Sequence, residues 1–80
     1  MDFIIIILLE DNIGLLIRII IILNRKNLKI NYMNISKKKY KKFYINQYIL
    51  NLECKIEDLI KLKKTISNLI GVHNIFYKKI

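Results

Sequence analysis

Residues 3 to 9 read FIIIILL, an apolar run with no polar face, and the chain leaves it through Glu10, Asp11 and Asn12 to resume an apolar pattern of different period after Gly14. A β-branched run without alternation belongs to a strand covered on both sides, or heavily on one, so the rest of the chain has to supply the cover. The run falls far short of the ~18 residues a membrane-spanning helix needs. The break from Glu10 to Asn12 and Arg18, which lies within the later run IRIIIIL, also count against a membrane segment. An 80-residue chain buries only roughly 60% of its unfolded surface on folding. The expected unit is therefore one small domain over residues 1–80, thinly stable and helped by a partner.

The period changes along the chain give the order of elements. After Gly14, Leu15, Leu16, Ile19, Ile20, Ile22 and Leu23 recur at helical spacing, and Asn24, Arg25, Lys26 and Asn27 close the segment. From Leu28 to Ile35 apolar and polar residues nearly alternate, but Leu28, Ile30 and Tyr32 keep one parity and Met33 and Ile35 the other, which predicts a bulge near Asn31 and Tyr32. SKKKYKK, residues 36 to 42, reads as a solvated hairpin loop. Phe43 to Leu52 then places Tyr48, Leu50 and Leu52 on one strand face. Residues 56 to 70 carry Ile56, Leu59, Ile60, Leu62, Ile66, Leu69 and Ile70 as a helical stripe, with Glu57 and Asp58 suited to its N-terminal dipole and Gly71 to its stop. Val72 to Tyr77 supplies a last strand. The expectation is an α+β, ferredoxin-like βαββαβ domain, two helices on one face of a four-stranded antiparallel sheet with open edges.

Composition excludes several functions. The formal charge of +9 would ordinarily point to nucleic acid or an anionic surface. An excess of Ile, Lys and Asn is also what A/T-rich coding produces, and a balanced base composition in the coding sequence would overturn that explanation. A lone Cys54 and a lone His73 make neither a disulfide framework nor a zinc cage. Cys54 reads as a small core filler and His73 as a surface or half-buried residue. With Met-Asp-Phe in place of a basic leader, a cytoplasmic location is expected and a membrane location is not. No nucleophile with a base, carboxylate pair or phosphate loop is present, so an independent enzyme is not expected.

The turn EDNIG allows two readings. Asn or Asp before a helix caps its free N–H groups, and a glycine there can be chosen for fit alone. A helix N-terminus with a nearby glycine also suits a carboxylate or phosphate.

LLEDNIGLLIRI resembles the opening of the ACT domain in the small, regulatory subunit of acetolactate synthase (acetohydroxyacid synthase). There a strand ending L-L-E-N precedes two variable residues, Gly, and a helix carrying S-R-V/I. Leu8, Leu9, Glu10, Gly14, Leu16 and Arg18 fall on that pattern; Ile30, Met33 and Ile35 match the family's second strand, and ISNLIGVHNI, residues 66 to 75, its last helix and strand. The resemblance implies a non-catalytic regulatory subunit that binds and activates the large catalytic subunit, on which thiamine diphosphate, Mg and FAD are expected; none is expected on this chain. It implies a homodimer formed side by side through a sheet edge, with valine as effector at the interface beside the first βα turn. The implied effector-binding residues are Asp11, Asn12, Ile13, Gly14, Leu15 and Lys29. The chain also resembles compact members that stop before the second, carboxy-terminal domain.

Two of those positions depart from the family. Asp11 and Lys29 stand where it commonly has Asn. An amide both donates and accepts, whereas an ionised Asp only accepts, so weakened valine feedback is expected. Two other readings share the topology. One is an RNA recognition motif, which requires K/R-G-F/Y-G/A-F-V-x-F/Y on the third strand; residues 41 to 48 read KKFYINQY and FIIIILL offers no central aromatic. Tyr40, Phe43 and Tyr44 read as edge-strand packing, and no nucleic-acid partner is expected. The other is a free-standing amino-acid-sensing ACT protein in a different pathway.

Overall fold

The computed structural model describes residues 1–25 and 28–80. The order is β1 (Asp2–Glu10), α1 (Ile13–Arg25), β2 (Lys29–Tyr40), β3 (Phe43–Glu53), α2 (Ile56–Ser67) and β4 (Val72–Lys79). The strands form one antiparallel sheet in the order β2-β3-β1-β4, the ferredoxin-like arrangement expected from the sequence. Lys26 and Asn27, expected to close the first helix, lie outside the described residues, as does the side chain of Tyr40.

β1 is central and bonded on both sides. Its Phe3, Ile5, Ile7 and Leu9 are buried, and register opposes them to Leu52, Leu50, Tyr48 and Asn46 of β3. Leu15, Ile19 and Leu23 of α1 and Leu59, Leu62 and Ile66 of α2 complete this core. The alternate residues Ile4, Ile6 and Leu8 are half-buried on the face without helices. The bulge falls between Ile30 and Tyr32, as the parity change requires, and returns Met33 and Ile35 to the helix side with Ile30.

Several expectations need correction. Residues 36 to 40 of the lysine-rich segment are strand, and only Lys41 and Lys42 turn, with Tyr40 opposite Phe43. The strand persists because β3 supplies a mate for every residue and Asp11 neutralises Lys37; lysines on an edge strand also discourage pairing with stray chains. Phe43 and Tyr44 lie on the inner strand β3, exposed at the hairpin end, and not on an edge. Helix α2 ends at Ser67, three residues early, because residues 66 to 72 form successive turns in which Leu69 N–H donates to Ile66 O and Val72 N–H to Leu69 O. Ile70 is therefore 91% exposed. Ile60 and Ile20, expected inside, face outward.

Gly71 then turns the chain into β4 at φ +100°, and its carbonyl accepts a 2.8 Å hydrogen bond from Glu10 N–H. A Cβ there would stand 3.1 Å from Leu15 Cδ2 and 3.3 Å from Glu10 Oε2. Gly71→Ala should therefore destabilise the fold by about 1–3 kcal/mol, read as a lower midpoint in chemical denaturation. An unchanged midpoint would contradict this account of the turn.

Candidate functional site

Strand β1 ends at Glu10 and helix α1 begins at Ile13, leaving Asp11 and Asn12 as the connection. Asn12 caps the helix. Its Oδ1 accepts hydrogen bonds from Gly14 N–H at 2.9 Å and, more weakly, Leu15 N–H at 3.4 Å, while its carbonyl accepts from Leu15 and Leu16 N–H. Two of the free donors at the helix start, Gly14 and Leu15 N–H, are thus met by the chain itself. Gly14 has no positive φ; its use is space, because a Cβ would lie 3.2 Å from the capping Oδ1.

Asp11 turns the other way, over the sheet. Its Oδ2 lies 2.7 Å from Lys37 Nζ on β2, and its Oδ1 accepts a 3.2 Å hydrogen bond from Asn46 Nδ2 on β3. The hydrogen bond with Lys37, then that with Asn46, holds the Asp11 carboxyl below its ordinary value. The same contact with Asp11 raises Lys37. Asn46 is buried at 8% exposure, next but one to Tyr48, whose phenol burial pushes up against an opposing hydrogen bond from Asn46. Lys37 Nζ also stands 5.9 Å from the centre of the Tyr44 ring. Lys37 and Asn46 were not legible as site residues, because only strand register brings them beside the turn.

Arg18, one helical turn beyond Gly14, lines a depression of about 290 Å³ with Asn12, Gly14, Leu15 and Ile70. A guanidinium beside a helix start suits a carboxylate, and Ile70 offers an apolar wall. Lys29 is elsewhere. It opens β2, eight residues of strand from Lys37 and so about 27 Å away at ~3.4 Å per residue. There it lies 3.9 Å from Glu53 Oε2. Five of the six expected effector positions thus meet at the turn in one copy, and the sixth does not.

Elsewhere the chain offers little chemistry. Among the described residues no His, Cys, Asp and Glu group could hold a metal ion, and no helix is long and apolar enough to cross a membrane. Cys54 is half-buried against the core, where burial raises its thiol. His73 is exposed. The helix-free face has Ile6 opposite Ile49 at its centre, aliphatic where an RNA recognition motif stacks bases.

No protein-family model and no curated protein matches the sequence. Solved structures do match. Over 96% of this chain and 96% of its own length, the ACT domain of the GTP pyrophosphokinase of Chlorobium tepidum superposes with TM-score 0.75 at 16% identity. The acetolactate synthase small subunit of Thermotoga maritima superposes with TM-score 0.81 at 9% identity, over 96% of this chain and 47% of that one. A homoserine dehydrogenase from Thiobacillus denitrificans does so with TM-score 0.73 at 17% identity, over 95% of this chain and 16% of that one. The fold is that of ACT domains. At these identities the likeness is one of fold, and the connection from Glu10 to Ile13 is the first βα turn of that ACT fold.

The Asp11–Lys37 pair is half-exposed, so its effect is best read at the site itself. With a depressed folded pKa, the contribution of Asp11 to stability is fully present above 3.8 and is lost as pH falls through the lower folded value. A carbon-detected NMR titration of the Asp11 carboxyl should give a midpoint below 3.8, and Lys37→Ala should move it up. A midpoint indifferent to Lys37→Ala would remove the pair from the account.

Proposed function

We propose that this chain is a regulatory ACT domain responsive to an amino acid and, more narrowly, a non-catalytic small subunit of acetolactate synthase, a single unit over residues 1–80 working in the cytoplasm. The observation that carries the regulatory reading is an unfinished surface beside the turn. β2 is an edge strand of 12 residues. Above it α1 turns Ile17, Ile20 and Ile21 to solvent, at 52%, 48% and 44% exposure, next to Ile30 at 42%. A long edge with unpaired backbone groups under an apolar helix face is suited to pairing with another such edge.

Antiparallel pairing of β2 with β2 would continue the sheet across two copies and lay α1 beside α1. It would bring the end of β2 that holds Lys29 of the partner subunit level with the Lys37 end, but on the helix-free face, behind the face on which Asp11 meets Lys37 and Asn46. Residues 11 to 15, five of the six effector positions implied by the resemblance, would then stand beside the paired edges of the two chains, with Lys29 on the other face. Leu8, Leu9, Glu10, Gly14, Leu16 and Arg18, which carry the acetolactate synthase resemblance, all lie at the end of β1 or the start of α1, and this supports the narrower reading. Thiamine diphosphate, Mg and FAD belong in this reading to the large catalytic subunit, which this chain would bind and activate.

Valine control should be weak. An amino acid presents a carboxylate, which Arg18 and the helix start suit, and an ammonium, which needs an acceptor. Asp11 already serves Lys37 and Asn46.

Acetolactate formation from pyruvate by the cognate large subunit should rise on adding this chain, with a flat response to sub-millimolar valine. No rise and no co-purification would reject the subunit assignment, and strong inhibition would reject the role given to Asp11. Independently, Ile20→Glu should reduce the mass of the chain in sedimentation by separating the edge-paired copies; an unchanged mass would reject this interface.

A further inference from the structure

The helix-free face of the sheet remains uncovered whether or not the β2 edges pair. Strand register lays it out in rows across β2, β3, β1 and β4. One row runs Tyr32, Asn51, Ile4, Lys78; the next Asn34, Ile49, Ile6, Phe76; the next Ser36, Gln47, Leu8, Asn74. Its middle is apolar, built from Ile4, Ile6, Leu8, Ile49 and Phe76, and amides surround it. Phe76 is 49% and Tyr32 55% exposed. Within the rim, Asn51 Oδ1 is buried without a hydrogen-bond partner.

The charge on this face differs from that of the chain. Among the described residues it carries Lys29, Lys38 and Lys78 against Asp2, Glu10 and Glu53, as the pairing of alternate residues requires. Three of the six carboxylates of a chain with net charge +9 thus lie on one face and balance its lysines. An acidic protein or an anionic lipid surface would be drawn to the hairpin end of the sheet, where Lys37, Lys38, Lys39, Lys41 and Lys42 gather. On the helix-free face a second copy of this basic chain meets locally balanced charges, where repulsion between copies is least.

We propose that this face is a second self-association surface, on which two copies stack sheet against sheet about a two-fold axis. Two inner faces packed ~10 Å apart would interdigitate the Ile4, Ile6, Leu8, Ile49 and Phe76 side chains. The face measures about 19 by 25 Å from strand spacing and rise, so stacking removes roughly 900–1,000 Å² in all. That lies just below the ~1,200 Å² at which stable standard-size interfaces begin, so the stacked pair is weak alone and gains by avidity once the β2 edges hold copies together.

Sedimentation across a concentration series tests it on the full chain. Wild type should approach four copies at high concentration, Phe76→Lys or the neutral Phe76→Asn should stop at the edge-paired dimer, and Ile20→Glu should leave only a weak stacked dimer. Adding Phe76→Lys to Ile20→Glu should weaken that remaining association about tenfold or more, with circular dichroism showing that the variants are folded. Raising the salt concentration should leave the stacked association unchanged or stronger. Phe76 variants that alter no association state, or an Ile20→Glu chain that stays monomeric at every concentration, would overturn the proposal, as would association that salt dissolves. None of these outcomes depends on acetolactate synthase, so the subunit assignment and the stacking surface stand or fall separately.

Discussion

Everything in this fold hangs from the pairing of β1 on both its edges. A central strand whose inward residues Phe3, Ile5, Ile7 and Leu9 are all 2% exposed or less fixes the register of β3 and β4, because a slip of one residue would turn that row to the open face. Both helices then have one place to put their stripes. The same register brings Asn46 of β3 beside Leu9 and Lys37 of β2 beside Asn46. The polar network under the first turn is thus a consequence of apolar pairing several residues away.

That dependence explains what could be read in advance. Period changes are local signals, so the six elements, the bulge at Ile30 and Tyr32 and the Tyr48, Leu50 and Leu52 row of β3 were legible, whereas FIIIILL has no polar face to tell which of its rows turns inward. The lysine run was misread because its strand character resides in its partner: residues 36 to 40 pair with β3 residues of clear alternation. The end of α2 was misread because Leu69 and Ile70 keep a helical period through turns that are no longer helical. Within the candidate site, Asn12 was legible as a cap because its service to Gly14 N–H is local, whereas the engagement of Asp11 by Lys37 and Asn46 depends on long-range contacts.

The two readings of the turn are not exclusive once geometry is considered. Asn12 serves two N–H groups of the helix start and Asp11 is paired with Lys37 and Asn46, so both side chains of the turn are engaged without a ligand. An effector would have to displace the cap or use Arg18 and the apolar wall beside it. Engagement of this kind costs affinity, since a bound group must replace hydrogen bonds the protein already makes. On the function proposed above, the departure at Asp11 would act in the same direction, toward assembly and away from sensing.

Size sets the remaining constraint. A chain of 80 residues cannot cover four strands on both faces with two helices, and here it leaves uncovered an apolar helix face above one edge and an apolar sheet centre behind. Free energy from association with another copy adds directly to the folding free energy, so for a marginal domain these surfaces bear on stability as well as assembly. The distribution of carboxylates fits that demand. Were Asp2, Glu10 and Glu53 placed on the outside of α2 among Lys61, Lys63 and Lys64, net charge would be unchanged, but the open face would carry three unbalanced lysines against three more on any copy stacked upon it.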